Sequence, residues 1–172
     1  MSQRLAYVLN SYSQLYEDVI YDESIESFSD FISDKIRNQL EVGFDSLKLL
    51  DYSWCEGFSG LLLYLCLVNQ KKYQLLIVQS QNELFKQHLH MGTSYCHGLA
   101  SLLQTVIYTE NDELYEKIVA ILITRSYRDS NDCLVFQSEE PSQSVVDFGT
   151  GTLGIYWTIC LLYTSDAADE RS

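Results

Sequence analysis

Apolar residues recur at helical spacing along most of this chain. Leu5, Val8, Leu9, Tyr12, Leu15, Tyr16 and Val19 predict an amphipathic helix over about 2–20. Ile25, Phe28, Phe31, Ile32 and Ile36 predict a second over about 23–41, with Glu23 and Ser24 at its start. The stretch 58–68 is apolar nearly all round, the pattern of a buried helix, whereas 73–89 is amphipathic. The same pair follows again. A buried helix is predicted over 99–108, then an amphipathic one over about 112–126. Asn111-Asp112 can cap the latter, and Leu114, Ile118, Ile121 and Leu122 share one face of it. Residues 128–144 are polar apart from 133–136, so they read as a loop with one short strand. Gly149–Gly154 opens a last apolar helix.

Each buried helix opens on a similar turn. The openings are Cys55-Glu-Gly57-Phe-Ser-Gly60-Leu, Cys96-His-Gly98-Leu-Ala-Ser101-Leu and Gly149-Thr-Gly151-Thr-Leu-Gly154-Ile, with starts 41 and then 53 residues apart. Inner helices that alternate with amphipathic outer ones predict an all-α fold, part of an α/α toroid, in which glycines let the backbones converge. A plain helical bundle is the alternative, and it does not require glycine at each inner start.

Composition narrows the class. Of 172 residues, 47% are hydrophobic and 13 are tyrosine, with a single proline, which suits a globular and mostly helical chain. The net charge of −13 makes it a poor nucleic-acid binder, because phosphate recognition needs clustered cations. The first residues lack a cationic run followed by an apolar core. No apolar run approaches the ~20 residues that span a bilayer. A cytoplasmic protein without membrane insertion is therefore expected.

Five cysteines without a secretory signal argue against a disulfide framework. Cys66, inside LLLYLCLV, reads as a small buried hydrophobe, and Cys133 near a polar loop has no assigned role. Cys55 and Cys96 differ, since each lies in a glycine-containing turn just before a buried helix. The positive end of the helix dipole favours a thiolate there. Neighbouring Cys96 and His97 can share a metal in a tight turn, and Cys55 can approach from the adjacent helix start. Two sulfurs and a nitrogen suit zinc, and three protein ligands leave the fourth tetrahedral position open for catalysis. Spacing alone leaves two readings open, a shared metal or buried unliganded thiols.

The motifs SWCEG at 53–57 and YCHG at 95–98, followed by a helix opened by GxxG, resemble the lanthionine synthetase C (LanC) family of cyclases. DFGTGTLGI at 147–155 is similar to the family's later glycine-rich repeat. The resemblance covers about 51–159, and the first fifty residues add compatible helices. It implies an α/α barrel with zinc held by Cys55, Cys96 and His97. It also implies that a peptide cysteine thiolate adds to dehydroalanine or dehydrobutyrine, closing a thioether ring. The implied partners are a dehydrated precursor peptide and a dehydratase. The family's acid and base residues come from repeats upstream of WCxG, and no HGxxG-type repeat is found among the first fifty residues here. The chain alone is accordingly expected to fold poorly and to lack cyclase activity. The alternative is a non-catalytic relative that binds zinc together with a peptide or small thiol.

Other features are weaker. Ser101 stands where the family's second repeat carries glycine. Glu56, beside Cys55, stays unassigned, and His88 and His90 read as a solvated helix end rather than support for the ligands. Asp147-Phe148-Gly149 copies a kinase metal motif, but no HRD loop or β3 lysine precedes it. Finally, 160–172, beginning CLLYTSDAADE, resembles one translated frame of a sequencing-library adapter. A partial LanC-like domain over 1–159 and a non-native tail over 160–172 are therefore expected.

Overall fold

The structure, a computed structural model, describes residues 21–45, 47, 49–137 and 146–169, together with 8, 11, 12 and 15. Among these residues it is all-α, with five α-helices and one small hairpin. The helix expected over 2–20 lies largely outside the described residues; the four described there are helical.

Helix α1 (Asp22–Val42) buries one stripe, Ile25, Phe28, Ser29, Ile32, Ser33 and Ile36, and leaves its other faces wet. Helix α2 (Phe58–Lys86) holds both an inner and an outer helix. Every residue from Phe58 to Cys66 is buried, but beyond Asn69 only a stripe is, at Tyr73, Ile77, Ser80, Gln81 and Leu84. Asn69 breaks the helix with φ −160° and ψ 76°. Its Oδ1 accepts from Lys72 N at 3.0 Å, so it caps the outer half. That cap starts the outer half near residue 70, ahead of the expected 73. The half ends at Lys86, where a short 3-10 turn, His88–His90, takes over.

The alternation then repeats. Helix α3 (Leu99–Tyr108) is buried at every position from Leu99 to Val106. Helix α4 (Asp112–Thr124) buries only Leu114, Ile118 and Leu122. Asn111 caps it as expected, its side chain accepting from Leu114 N at 3.3 Å. Helix α5 (Thr152–Asp169) is the third inner helix and packs against α3. Helix α3 touches α2, α4 and α5, so it is the centre of the core.

The hairpin differs from expectation. The short strand appears as β2 (Leu134–Phe136), and its antiparallel partner is β1 (Ser126–Arg128), at the end of the helix predicted over about 112–126. Strand β1 lacks the apolar alternation that marks a strand, and its pairing with β2 supplies the signal instead. Residues 138–145 of the expected loop lie outside the described residues.

Between helices the core is not purely apolar. Gln81 of α2 donates from Nε2 to Thr105 Oγ1 and accepts at Oε1 from Thr109 Oγ1, both at 3.1 Å. All three side chains are buried. A buried amide satisfied at both ends fixes the register of α2 against α3, because a slide would orphan it.

Glycine is required where the inner helices begin. A Cβ on Gly57 would lie 2.3 Å from Asp51 O, and one on Gly98 would lie 2.4 Å from Gly92 O. Both obstacles are backbone and cannot rotate away. Gly92 is different, with the nearest atom 3.9 Å from its ideal Cβ. We therefore expect Gly98→Ala to destabilise the fold by more than about 2 kcal/mol and Gly92→Ala to change it by less than about 0.5 kcal/mol. Urea unfolding of the two variants checks this, and equal midpoints would refute the close-approach argument.

Candidate metal centre

The turn before α2 is Ser53-Trp54-Cys55-Glu56-Gly57, and the turn before α3 is Ser94-Tyr95-Cys96-His97-Gly98. Their local bonding matches. Ser53 Oγ accepts from Glu56 N at 3.1 Å, and Ser94 Oγ accepts from His97 N at 3.2 Å. Both serines are buried. The turn before α5 uses Asp147 in the same way, its Oδ1 accepting from Thr150 N at 2.7 Å. That bond, then the Thr150 hydroxyl and neighbouring amides, hold the Asp147 carboxyl below its usual range. Asp147 of the DFG string is thus the acceptor that closes a turn. Counted from these acceptors, the repeats are again 41 and 53 residues apart.

The turns are joined to one another. Trp54 N donates to Cys96 O at 2.7 Å, and Cys96 N donates to Gly149 O at 2.6 Å. The aromatic residue of each turn packs on the next. Ring centroids are 5.7 Å apart for Trp54 and Tyr95 and 4.9 Å apart for Tyr95 and Phe148.

This stitching brings the three expected ligands together. Cys55 Sγ and Cys96 Sγ are 3.4 Å apart, and His97 Nε2 lies 3.8 Å from the first and 3.5 Å from the second. They form the one group of three or more metal-ligand side chains among the described residues. Tetrahedral bonds of zinc length would put two sulfurs about 3.8 Å apart and sulfur and nitrogen about 3.6 Å apart. The donor triangle lies within about 0.4 Å of one face of such a tetrahedron. All three residues are half-buried.

Electrostatics agree with thiolate chemistry at Cys55. Burial pushes its thiol up. Ser53, Cys96 and His97 at hydrogen-bonding range, with the charge of His97, outweigh burial and leave it below the usual value. Cys66 is the contrast, since burial raises its thiol to about 12. It is inert packing, as its apolar run implies. Cys133 and Cys160 are exposed, and neither joins the group. His88 and His90 also stay apart from it. The His88 ring stacks on Phe85, and its Nδ1 lies 2.9 Å from Phe85 O, as befits a helix end.

Sequence reasoning missed the supporting groups. Ser53 and Ser94 carry a detectable signal, a serine two residues before each motif cysteine. Tyr95 and Gln104 carry none. The Tyr95 hydroxyl donates to Gln104 Oε1 across nine residues, which only the packing of α3 against its own turn reveals.

Beside the turns lies a cavity of about 440 Å³ between the inner helices. Trp54 and Tyr95, each directly preceding a ligand cysteine, line it, as do Tyr64 of α2, Gln104 and Tyr108 of α3, and Trp157 of α5.

The assignment is checked by metal content. Cys55→Ala, Cys96→Ala and His97→Ala are each expected to cut bound metal about tenfold or more, through loss of one of three ligands. Cys66→Ala and Cys133→Ala should retain it. Elemental analysis of the purified chains decides, and unchanged metal in the Cys96 variant would remove the ligand set. Binding should also weaken on acidification, since thiols and imidazole ligate deprotonated.

No curated protein sequence matches the chain. The profile of the family described as "Lanthionine synthetase C-like protein" matches residues 1–171, which extends well beyond the stretch 51–159 that carries the motif resemblance. With its paired cysteine turns, inner and outer helices and Cys-Cys-His triangle, the chain belongs to the lanthionine synthetase C-like family.

Proposed function

We propose that this chain carries the thiol-activating centre of a zinc-dependent lanthipeptide cyclase. In that reaction a peptide cysteine sulfur bonds to the β-carbon of dehydroalanine or dehydrobutyrine. The carbon–carbon π pair moves toward the adjacent carbonyl, and a proton delivered to the α-carbon completes the thioether. The observation that carries this reading is the Cys55–Cys96–His97 triangle, spaced close to three corners of a zinc tetrahedron and only half-buried. When bound, zinc supplies a Lewis acid that lowers the pKa of a coordinated thiol toward neutrality.

The chain's own groups hold and shield that chemistry. Cys55, Cys96 and His97 supply the ligands. Ser53 and Ser94 fix the turns through backbone amides, so the ligand positions are set before any ligand arrives. The apolar walls next to the turns exclude water from a bound peptide. The partner in this reading is a dehydrated precursor peptide, supplied by a dehydratase. The proton donor is expected from repeats upstream of the first cysteine motif, so the reading assigns no acid to the described residues.

Cobalt substitution tests the centre directly. A cysteine-containing peptide should change the thiolate-to-cobalt absorption bands, and the same peptide with serine in place of cysteine should leave them unaltered. A cobalt spectrum indifferent to the cysteine peptide would overturn the cyclase reading and favour a relative whose metal is structural.

A further inference from the structure

The cavity beside the ligand turns has an unusual lining. Five aromatic rings face it, from Trp54, Tyr64, Tyr95, Tyr108 and Trp157, and no charged residue is among its described lining. Several rim residues are open to solvent despite being apolar. Val8 is 58% exposed and Trp157 40% exposed. A charge-free aromatic cavity whose apolar rim is wet suits part of a larger ligand better than a free ionic metabolite.

Gln104 contributes an amide to this aromatic wall. Gln104 is 4% exposed, and its Oε1 is taken by the Tyr95 hydroxyl. Its Nε2 meets no acceptor among the described residues. That nitrogen is not sealed in the core, because Ser59 Oγ is the one buried and unpartnered side-chain polar atom among those residues. The Gln104 amide nitrogen therefore opens on the cavity that the residue lines. The Tyr95 bond sets its orientation, with oxygen held and N–H donors presented. The Tyr64 hydroxyl is occupied elsewhere, by Ser29 Oγ at 3.1 Å and by Ile25 O at 3.4 Å, so that ring offers the cavity only its apolar surface.

We infer that this cavity is a selectivity pocket for the peptide residue beside the reacting thiol: it takes an uncharged apolar side chain, aromatic or branched aliphatic, and Gln104 Nε2 donates to that residue's backbone carbonyl. The inference rests on the cyclase reading for the identity of the ligand as a peptide. The aromatic walls bury the side chain, and a charged one would lose its hydration with no counter-ion in the described lining. The Gln104 amide donor meets a backbone carbonyl that such a residue brings, and leaving either unpaired carries a desolvation cost. Trp54 and Tyr95 place the bound residue next to the turns that hold Cys55 and Cys96. Gln104 is a specificity residue in this scheme, acting on which peptide binds.

The chain reports on this pocket itself, because Trp54 and Trp157 are its two tryptophans and both line the cavity. Tryptophan emission of the full chain would be titrated with acetylated, amidated tripeptides carrying phenylalanine, aspartate or lysine between two alanines. A second titration would use toluene, which is apolar but has no carbonyl. The phenylalanine peptide should change emission saturably, and the aspartate and lysine peptides should need about ten times more. Gln104→Leu should weaken the phenylalanine peptide about fivefold and leave toluene unaffected. Equal response to the three peptides would overturn the pocket's selectivity. Loss of peptide and toluene together in Gln104→Leu, or of neither, would overturn the donor role. These peptides contain no thiol, so the two readings fail separately. Selective peptide binding by a chain whose cobalt spectrum ignores thiols keeps this inference and removes the cyclase. A thiol-responsive cobalt centre without peptide selectivity does the reverse.

Discussion

Two backbone hydrogen bonds, Trp54 N to Cys96 O and Cys96 N to Gly149 O, tie three inner-helix turns into one unit. The ligands are far apart in sequence, and these bonds put their sulfurs within 3.4 Å. Gly57 and Gly98 keep each ligand turn tight within itself, since a methyl group there would meet the carbonyl oxygens of Asp51 and Gly92 at 2.3 and 2.4 Å. Helix packing alone would bring the inner helices together at side-chain distance, about 8–10 Å between axes, too coarse to set a metal triangle. Backbone-to-backbone bonding between turns sets it more finely, because hydrogen bonds tolerate only a few tenths of an ångström.

The serines complete this arrangement. Each ligand turn leaves amide groups that no helix satisfies, and a buried serine accepts one of them in each case. At Cys55 the Ser53 hydroxyl is also 3.7 Å from the sulfur. One small side chain thus closes the turn and helps lower the thiol. Cys66 shows what happens without such support: the same side chain, fully inside α2, is pushed far toward the protonated form. The two thiols differ by the groups around them: Ser53, Cys96 and His97 at Cys55, and burial within the core at Cys66.

The alternation of inner and outer helices was legible because burial leaves a mark on composition. A helix buried on all sides, such as 58–66 or Leu99–Val106, carries no charged residue and is mostly apolar, and a covering helix such as α4 needs only the stripe Leu114, Ile118, Leu122. The ligands were legible because thiols beside glycines at two helix starts are uncommon, and the family resemblance turned an open choice into a definite set. Strand β1 was not legible, since three residues with one half-buried and two exposed positions carry no periodic signal. The Tyr95–Gln104 pair was hidden for a related reason. Its partners meet through a turn that folds back on its own helix, and neither residue type is distinctive alone.

The third repeat shows why the ligand set stops at three among the described residues. Its turn keeps the polar acceptor, as Asp147, and the aromatic residue, as Phe148, but it has Gly149 where the others have cysteine. A Cβ at Gly149 would lie 3.9 Å from Cys96 Cβ, so a side chain there would start beside the metal triangle. A cysteine in this position would offer a third thiolate, and a Cys3His set is the composition of closed structural zinc sites. With glycine there, the described residues bring together two thiols and one imidazole, and under the proposed function the fourth tetrahedral position is left to a substrate thiol instead of a fourth protein ligand.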